Sequence, residues 1–250
     1  MLLAGFTITS CAKEKNPVIN EEAKKLVKFY NADDLTNVMD LTYDNEGRLI
    51  SQAGTFTSVE FIYSNGGLSG SAKQNGVVYF TFSNGKLDNA GRLTQVDALY
   101  EPPNNAPKTQ YIWSYEYNTD GYLTKFTRNN TTNNSVSVEN LTYQNGNLVK
   151  NENLFNGLPN YTTLYEYYDN VENKLKIDIA PALNNLYTDE LTGKRSHNLV
   201  KSEKNYDAQN VMNIDRHYDY LLDNDGFPVS INITNALNNS HWNRTLVYDK

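Results

Sequence analysis

The chain has 250 residues, with 22 basic and 29 acidic side chains and a formal charge of −7. That is enough chain for one large domain or two small ones, and its acidity excludes the basic face a nucleic-acid binder needs. Mean hydropathy is −0.64, and no run approaches the roughly 18 apolar residues of a membrane-spanning helix. A single Cys excludes an internal disulfide and a Cys-based zinc site. The chain carries 37 Asn and 19 Tyr but only 7 Pro. Asn favours turns and Tyr favours strands, so composition points to a turn-rich, all-β chain.

Residues 1–10 read MLLAGFTITS and lead into Cys11-Ala12-Lys13. An apolar run ending in small polar residues before a lone Cys resembles the end of a bacterial lipoprotein signal peptide. The resemblance implies lipidation at Cys11 and a cell-envelope location. With no Asp after the Cys, it implies an outer-membrane lipoprotein facing the periplasm or the surface. Thr9 and Ser10 stand where Ala or Gly is usual, and no basic residue precedes Cys11. Residues 11–39 read as a tether with one short helix. Glu21 and Glu22 precede Lys24 and Lys25, as the helix dipole prefers, and Leu26, Phe29 and Tyr30 share a helical face. Residues 26–30 are also compatible with a first strand.

Residues 40–250 read as one antiparallel β-repeat domain. An aromatic residue, a short polar turn with Gly, one further residue and then Leu recur at Tyr43-Gly47-Leu49, Tyr63-Gly66-Leu68, Tyr117-Gly121-Leu123 and Tyr143-Gly146-Leu148. Of two overlapping copies, Phe82–Leu87 and Leu87–Leu93, the second is the expected hairpin. Tyr168–Leu175 and Leu222–Pro228 read as degenerate copies. Asn65-Gly66 suits a two-residue type I′ turn, and Asp44–Arg48 a three-residue loop with a left-handed Gly. Asn65, Asn84 and Asn145 are expected at positive φ on hairpin tips. Either loop places the aromatic opposite the Leu, a structural cross-strand pair. Alternating runs such as Val59-Phe61-Tyr63 and Trp113-Tyr115-Tyr117 give one apolar face. The spacing predicts about 14–16 strands, and a sheet of that size favours an up-and-down barrel or rolled sheet.

The Tyr-x-x-x-Gly-x-Leu units resemble YD repeats of the RHS type, best at Tyr43-Asp44 through Leu49. With the lipobox-like start, the chain resembles a family of uncharacterised Gram-negative lipoproteins. That resemblance implies a soluble, porin-like antiparallel barrel of unknown function. A lipid-facing barrel would need an unbroken outward apolar band, which 136–143 and 201–206 lack.

No motif carries chemistry. His197, His217 and His241 have no partner at metal spacing, and no HExxH, GxSxG or Walker loop occurs. Asp223-Asn224-Asp225-Gly226 and Asn118-Thr-Asp120-Gly121 read as hairpin turns, not calcium loops. No catalytic residue, metal site or cofactor is assigned, and the chain is not expected to be an enzyme. Trp113 and Trp242 are candidates for stacking a ligand, although inward rings also fill barrels. The expected function is a lipid-anchored binding or scaffold module, a monomer touching the membrane only through its lipid, with a glycan, lipid or protein ligand. The alternatives are a carbohydrate-active hydrolase with lumenal carboxylates and a self-associating structural repeat.

Overall fold

A computed structural model describes residues 24–31, 34–102, 106–175 and 189–249, with the side chains of 34–37, 189 and 190 excepted. Sixteen antiparallel strands close into an up-and-down barrel in which each strand pairs with its chain neighbour and β1 pairs with β16. The strands are β1 Leu26–Asn31, β2 Asp34–Tyr43, β3 Leu49–Gly54, β4 Thr57–Ser64, β5 Gly67–Gln74, β6 Val77–Leu87, β7 Leu93–Tyr100 and β8 Thr109–Tyr117. They continue with β9 Leu123–Asn130, β10 Ser135–Gln144, β11 Asn147–Phe155, β12 Leu158–Glu172, β13 Asn198–Asp207, β14 Met212–Leu222, β15 Pro228–Asn235 and β16 Ser240–Tyr248. One four-residue helix, α1 Asp189–Thr192, lies in the β12–β13 connection.

The expected helix near residue 26 is a strand, and the barrel reaches back into the stretch read as a tether. Leu26-Val27-Lys28-Phe29-Tyr30 suits either period, and closure decides. Without β1, the facing edges of β2 and β16 would be left unpaired.

The repeat turns gather at one end of the barrel, the hairpin-motif end. Tyr43 opposes Leu49, Tyr63 opposes Leu68, Tyr117 opposes Leu123 and Tyr143 opposes Leu148. Leu87 opposes Leu93, so the second overlapping copy is the hairpin. Asn84, at φ +54°, sits in an irregularity within β6 and not on a tip. Asn145-Gly146 takes positive φ at both positions, the type I′ pattern. The expected type I′ turn at Asn65-Gly66 is not formed. Only Gly66 has positive φ there, which is the type II pattern. The Asp opening the three-residue loops has its own task. Asp44 Oδ1 accepts the amides of Glu46 and Arg48, each at 2.9 Å, and Asp88 and Asp223 repeat the arrangement.

Neighbouring hairpins are hooked together. The Tyr hydroxyl of one donates to the carbonyl that starts the returning strand of the one before. Tyr63 reaches Leu49 at 3.2 Å, Tyr117 reaches Leu93 at 2.7 Å and Tyr248 reaches Pro228 at 2.8 Å. Tyr43 reaches Leu26 at 2.7 Å across the closure. In β12 the hook is Tyr167, which donates to Leu148 at 2.8 Å, and not its neighbour Tyr168. The residue between Gly and Leu then covers the next Tyr ring. Arg48 lies over Tyr63 at 4.5 Å and Arg92 over Tyr117 at 4.4 Å, while Tyr122 packs on Tyr143 at 4.7 Å.

The inward face is dry over most of its length. Leu93, Val96, Leu123, Phe126, Ile231 and Phe82 are at most 2 % exposed. Outward positions carry cross-strand ion pairs such as Glu60–Lys73 and Glu116–Lys125. The apolar outward residues Ile62 and Leu221 are isolated among them, both over 60 % exposed.

Candidate functional site

At the far mouth, opposite the motif end, the packed lumen opens into a cleft of about 620 Å³. The strands bring two kinds of wall to it. On β6–β8 the period-two pattern turns Phe80, Tyr111 and Trp113 inward, with Tyr100 at the rim. Phe80 and Trp113 stack at 5.3 Å and 25° across β7, where the small Ala98 leaves room. Trp113 meets Phe126 edge-on at 5.9 Å. Its Nε1 is buried with no hydrogen-bond partner among the described residues, a donor that costs about 1–3 kcal/mol while unpaired.

The adjoining strands β9 and β10 are polar, with Arg128 directly across from Trp113 and Asn130 from Tyr111. Arg128 and Asn130 come from β9, and Ser135 and Ser137 from β10. Arg128 donates to Glu139 Oε1 at 2.7 Å, and Asn151 Nδ2 donates to Glu139 Oε2 at 2.9 Å. Glu139 is only 1 % exposed. Burial pushes its carboxyl above the usual range, against the pull of Arg128, Asn151 and Tyr161. Burial and the Glu139 charge push the Tyr161 phenol up to about 12. Ser137 Oγ accepts from Asn153, whose Oδ1 accepts from Asn160 at 2.8 Å. Asn130 Oδ1 caps the β9–β10 turn by accepting the amides of Thr132 and Asn133. These side chains are held in place, so the polar wall is preorganised.

Trp113 therefore lines the cleft. Trp242 does not: it lies on β16 opposite Ile233, with the Arg216 guanidinium 5.7 Å from its ring. The Tyr, Gly and Leu motif residues stand at the other end and shape the wall. Cys11 lies outside the described residues. His217 Nε2 is 3.1 Å from Asp215, and the His197 amide donates to the Gly146 carbonyl. Asp223 accepts from Lys24 at 2.8 Å, and Asp225 pairs with the same ammonium. Sequence reasoning missed Arg128, Asn130 and Glu139. Their signal is parity: Phe126-x-Arg128-x-Asn130 and Glu139-x-Leu141-x-Tyr143 each continue an apolar inward face into polar residues.

A second cleft, of about 720 Å³, lies at the motif end. There the β12–β13 connection crosses the hairpins, with Lys194 bonded to Gly121 and Leu191 buried against the hairpins. Arg92, Asp120, Glu172 and Lys194 line it.

The barrel has solved counterparts. It is similar to a porin-like protein from Bacteroides uniformis, with a TM-score of 0.67, 14 % identity, and 90 % of this chain and 96 % of that chain covered. A porin-like protein from Bacteroides vulgatus is similar at a TM-score of 0.65 and 14 % identity, over 90 % of this chain and 99 % of that one. No family model matches the chain, and no curated protein does. The likeness shows a porin-like barrel fold.

Proposed function

We propose that the chain is a cell-envelope binding or scaffold barrel, anchored by a lipid on Cys11, that holds a ligand in the far-mouth cleft. The observation that carries the reading is the cleft itself: an aromatic strip on β6–β8 beside a fixed polar strip on β9–β10, where the packed lumen opens at the far mouth. Such a combination of apolar surface and a few placed polar groups is what small-ligand sites share. Ion pairs on the outer wall support a barrel bathed in water, since a lipid-facing band would be apolar there. The chain enters the barrel at the motif end, where the Lys25 amide bonds Asp249 and Leu26 pairs with Tyr248. The fifteen residues from Cys11 to Leu26 reach at most about 50 Å, and this tether would leave the cleft pointing away from its attachment. The hydrolase reading finds less support, because none of the residues lining the cleft is Asp or Glu and glycoside hydrolysis ordinarily needs two.

Metabolic labelling of the native gene product with a palmitate analogue tests the anchor. Label that disappears in Cys11→Ser supports it, and an unlabelled wild-type protein refutes it. For the cleft, Trp242→Phe leaves Trp113 as the sole indole. Energy transfer from Trp113 to anilinonaphthalene sulfonate, weakened by Tyr100→Ala, is the expected result. Absence of transfer across the accessible dye range contradicts the binding reading.

A further inference from the structure

We infer that the ligand of the far-mouth cleft is an uncharged glycan, an inference that rests on the cleft being a binding site. A sugar ring has apolar C–H faces and hydroxyl edges. The β6–β8 wall offers ring faces to the first, and the β9–β10 wall offers planar and hydroxyl groups to the second. A wholly apolar ligand would strip water from Arg128, Asn130, Ser135 and Ser137 without replacing their hydrogen bonds. A carboxylate or phosphate ligand would find no unmatched cation. Among the described residues Arg128 is the single charged one lining the cleft, and buried Glu139 faces it at 2.7 Å.

The rim continues the same chemistry. The flanking turns Thr131-Thr132-Asn133-Asn134 and Asn156-Gly157 carry no charge, and in the β7–β8 connection Glu101 and Lys108 neutralise each other at 2.8 Å. Phe155 and Tyr100 show their rings to solvent, 48 % and 37 % exposed. A chain leaving the cleft would run across these rings, so the mouth suits an oligomer better than a single sugar. The motif end is built differently, with Asp44, Arg48, Asp88, Arg92 and Asp223 at its turns.

The test uses the full chain carrying Trp242→Phe, with Trp113 emission as the signal. It is titrated with neutral oligomers of α-glucan, β-glucan, xylan, mannan, galactan and N-acetylglucosamine. At least one is expected to give a saturable change that survives high salt. Its affinity should fall at least tenfold in Tyr100→Ala and in Phe155→Ala, whose side chains are exposed enough to leave the fold intact by circular dichroism. Binding that neither rim variant weakens overturns the placement. A preference for polygalacturonate over neutral galactan overturns the uncharged class. If anilinonaphthalene sulfonate binds and no oligosaccharide does, the glycan inference fails while the binding site stands. If nothing binds, both fail.

Discussion

The Tyr117 hydroxyl lies 2.7 Å from the Leu93 carbonyl oxygen and 3.1 Å from that of Leu191, so one phenol ties two neighbouring hairpins to the short helix α1. Having one proton, it serves the nearer acceptor more fully. Tyr117→Phe leaves both carbonyls short of a donor in a largely dry setting, and a loss of about 1–3 kcal/mol is expected. Tyr63→Phe removes a longer bond to one carbonyl and should cost less. Urea unfolding of the two variants checks the order; an equal or reversed loss would count against the hook as drawn.

Alkali should unfold the barrel cooperatively. Burial holds the phenols of Tyr115, Tyr117, Tyr218 and Tyr248 above their ordinary range, with the Glu203 charge adding to the effect at Tyr218. A phenol whose folded value is raised stabilises the fold fully below its unfolded value near 10. That contribution is lost as pH climbs from there toward the folded value. Each such tyrosine removes about 1.4 kcal/mol per pH unit over that range. Phenolate absorbance is therefore expected to appear together with loss of the circular dichroism signal above about pH 10. A smooth titration with the fold retained would contradict the burial of these rings.

Glu139 and Arg128 should behave as a coupled pair. Removing one partner of a buried ion pair strands the other, at a cost of about 3–5 kcal/mol for Arg128→Ala, which leaves the buried Glu139 unpaired. Arg128 is 27 % exposed at its side chain, so Glu139→Ala strands a cation that water still reaches and should cost less. The double variant should lose clearly less than the two single losses added. Additivity within about 0.5 kcal/mol would show the pair to be independent.

Gly70 has no room for a side chain. A methyl group there would fall on the Phe82 ring and the Glu60 carbonyl. Gly70→Ala is expected to lower stability by about 1–3 kcal/mol, and Phe82→Leu in the same chain should recover part of it. If Gly70→Ala melts like wild type, the Phe82 ring does not lie over β5 as described.

The pairing of Tyr43 with Leu49, or Tyr143 with Leu148, was legible in the sequence because turn chemistry is local. Loop length and the left-handed Gly set the register by themselves. The cleft was legible only in part. Trp113 and Trp242 look alike in sequence, and their places round the closed barrel separate them: Trp113 on β8 stacks on Phe80, whereas Trp242 on β16 lies beside Arg216. The Arg128–Glu139 pair was hidden for a related reason. Between Leu123 and Phe126 an irregularity shifts the inward phase by one residue, so the parity of β9 cannot be counted from its turn. Residues 26–30 misled because helix and strand periods both fit them, and the choice is made by β16, more than 200 positions away.

The reach of these Tyr hydroxyls to the hairpin before has an evolutionary consequence. Apart from the ties made by the β12–β13 connection, each such hook joins a hairpin to its immediate predecessor, and the closing bond from Tyr43 to Leu26 has the same form as the rest. No residue of the motif encodes the number of hairpins. Duplication or loss of one would alter the circumference, and with it the width of the mouth, while leaving every local rule satisfied. Mouth size in barrels of this construction is therefore a property that gene duplication can tune in steps of two strands.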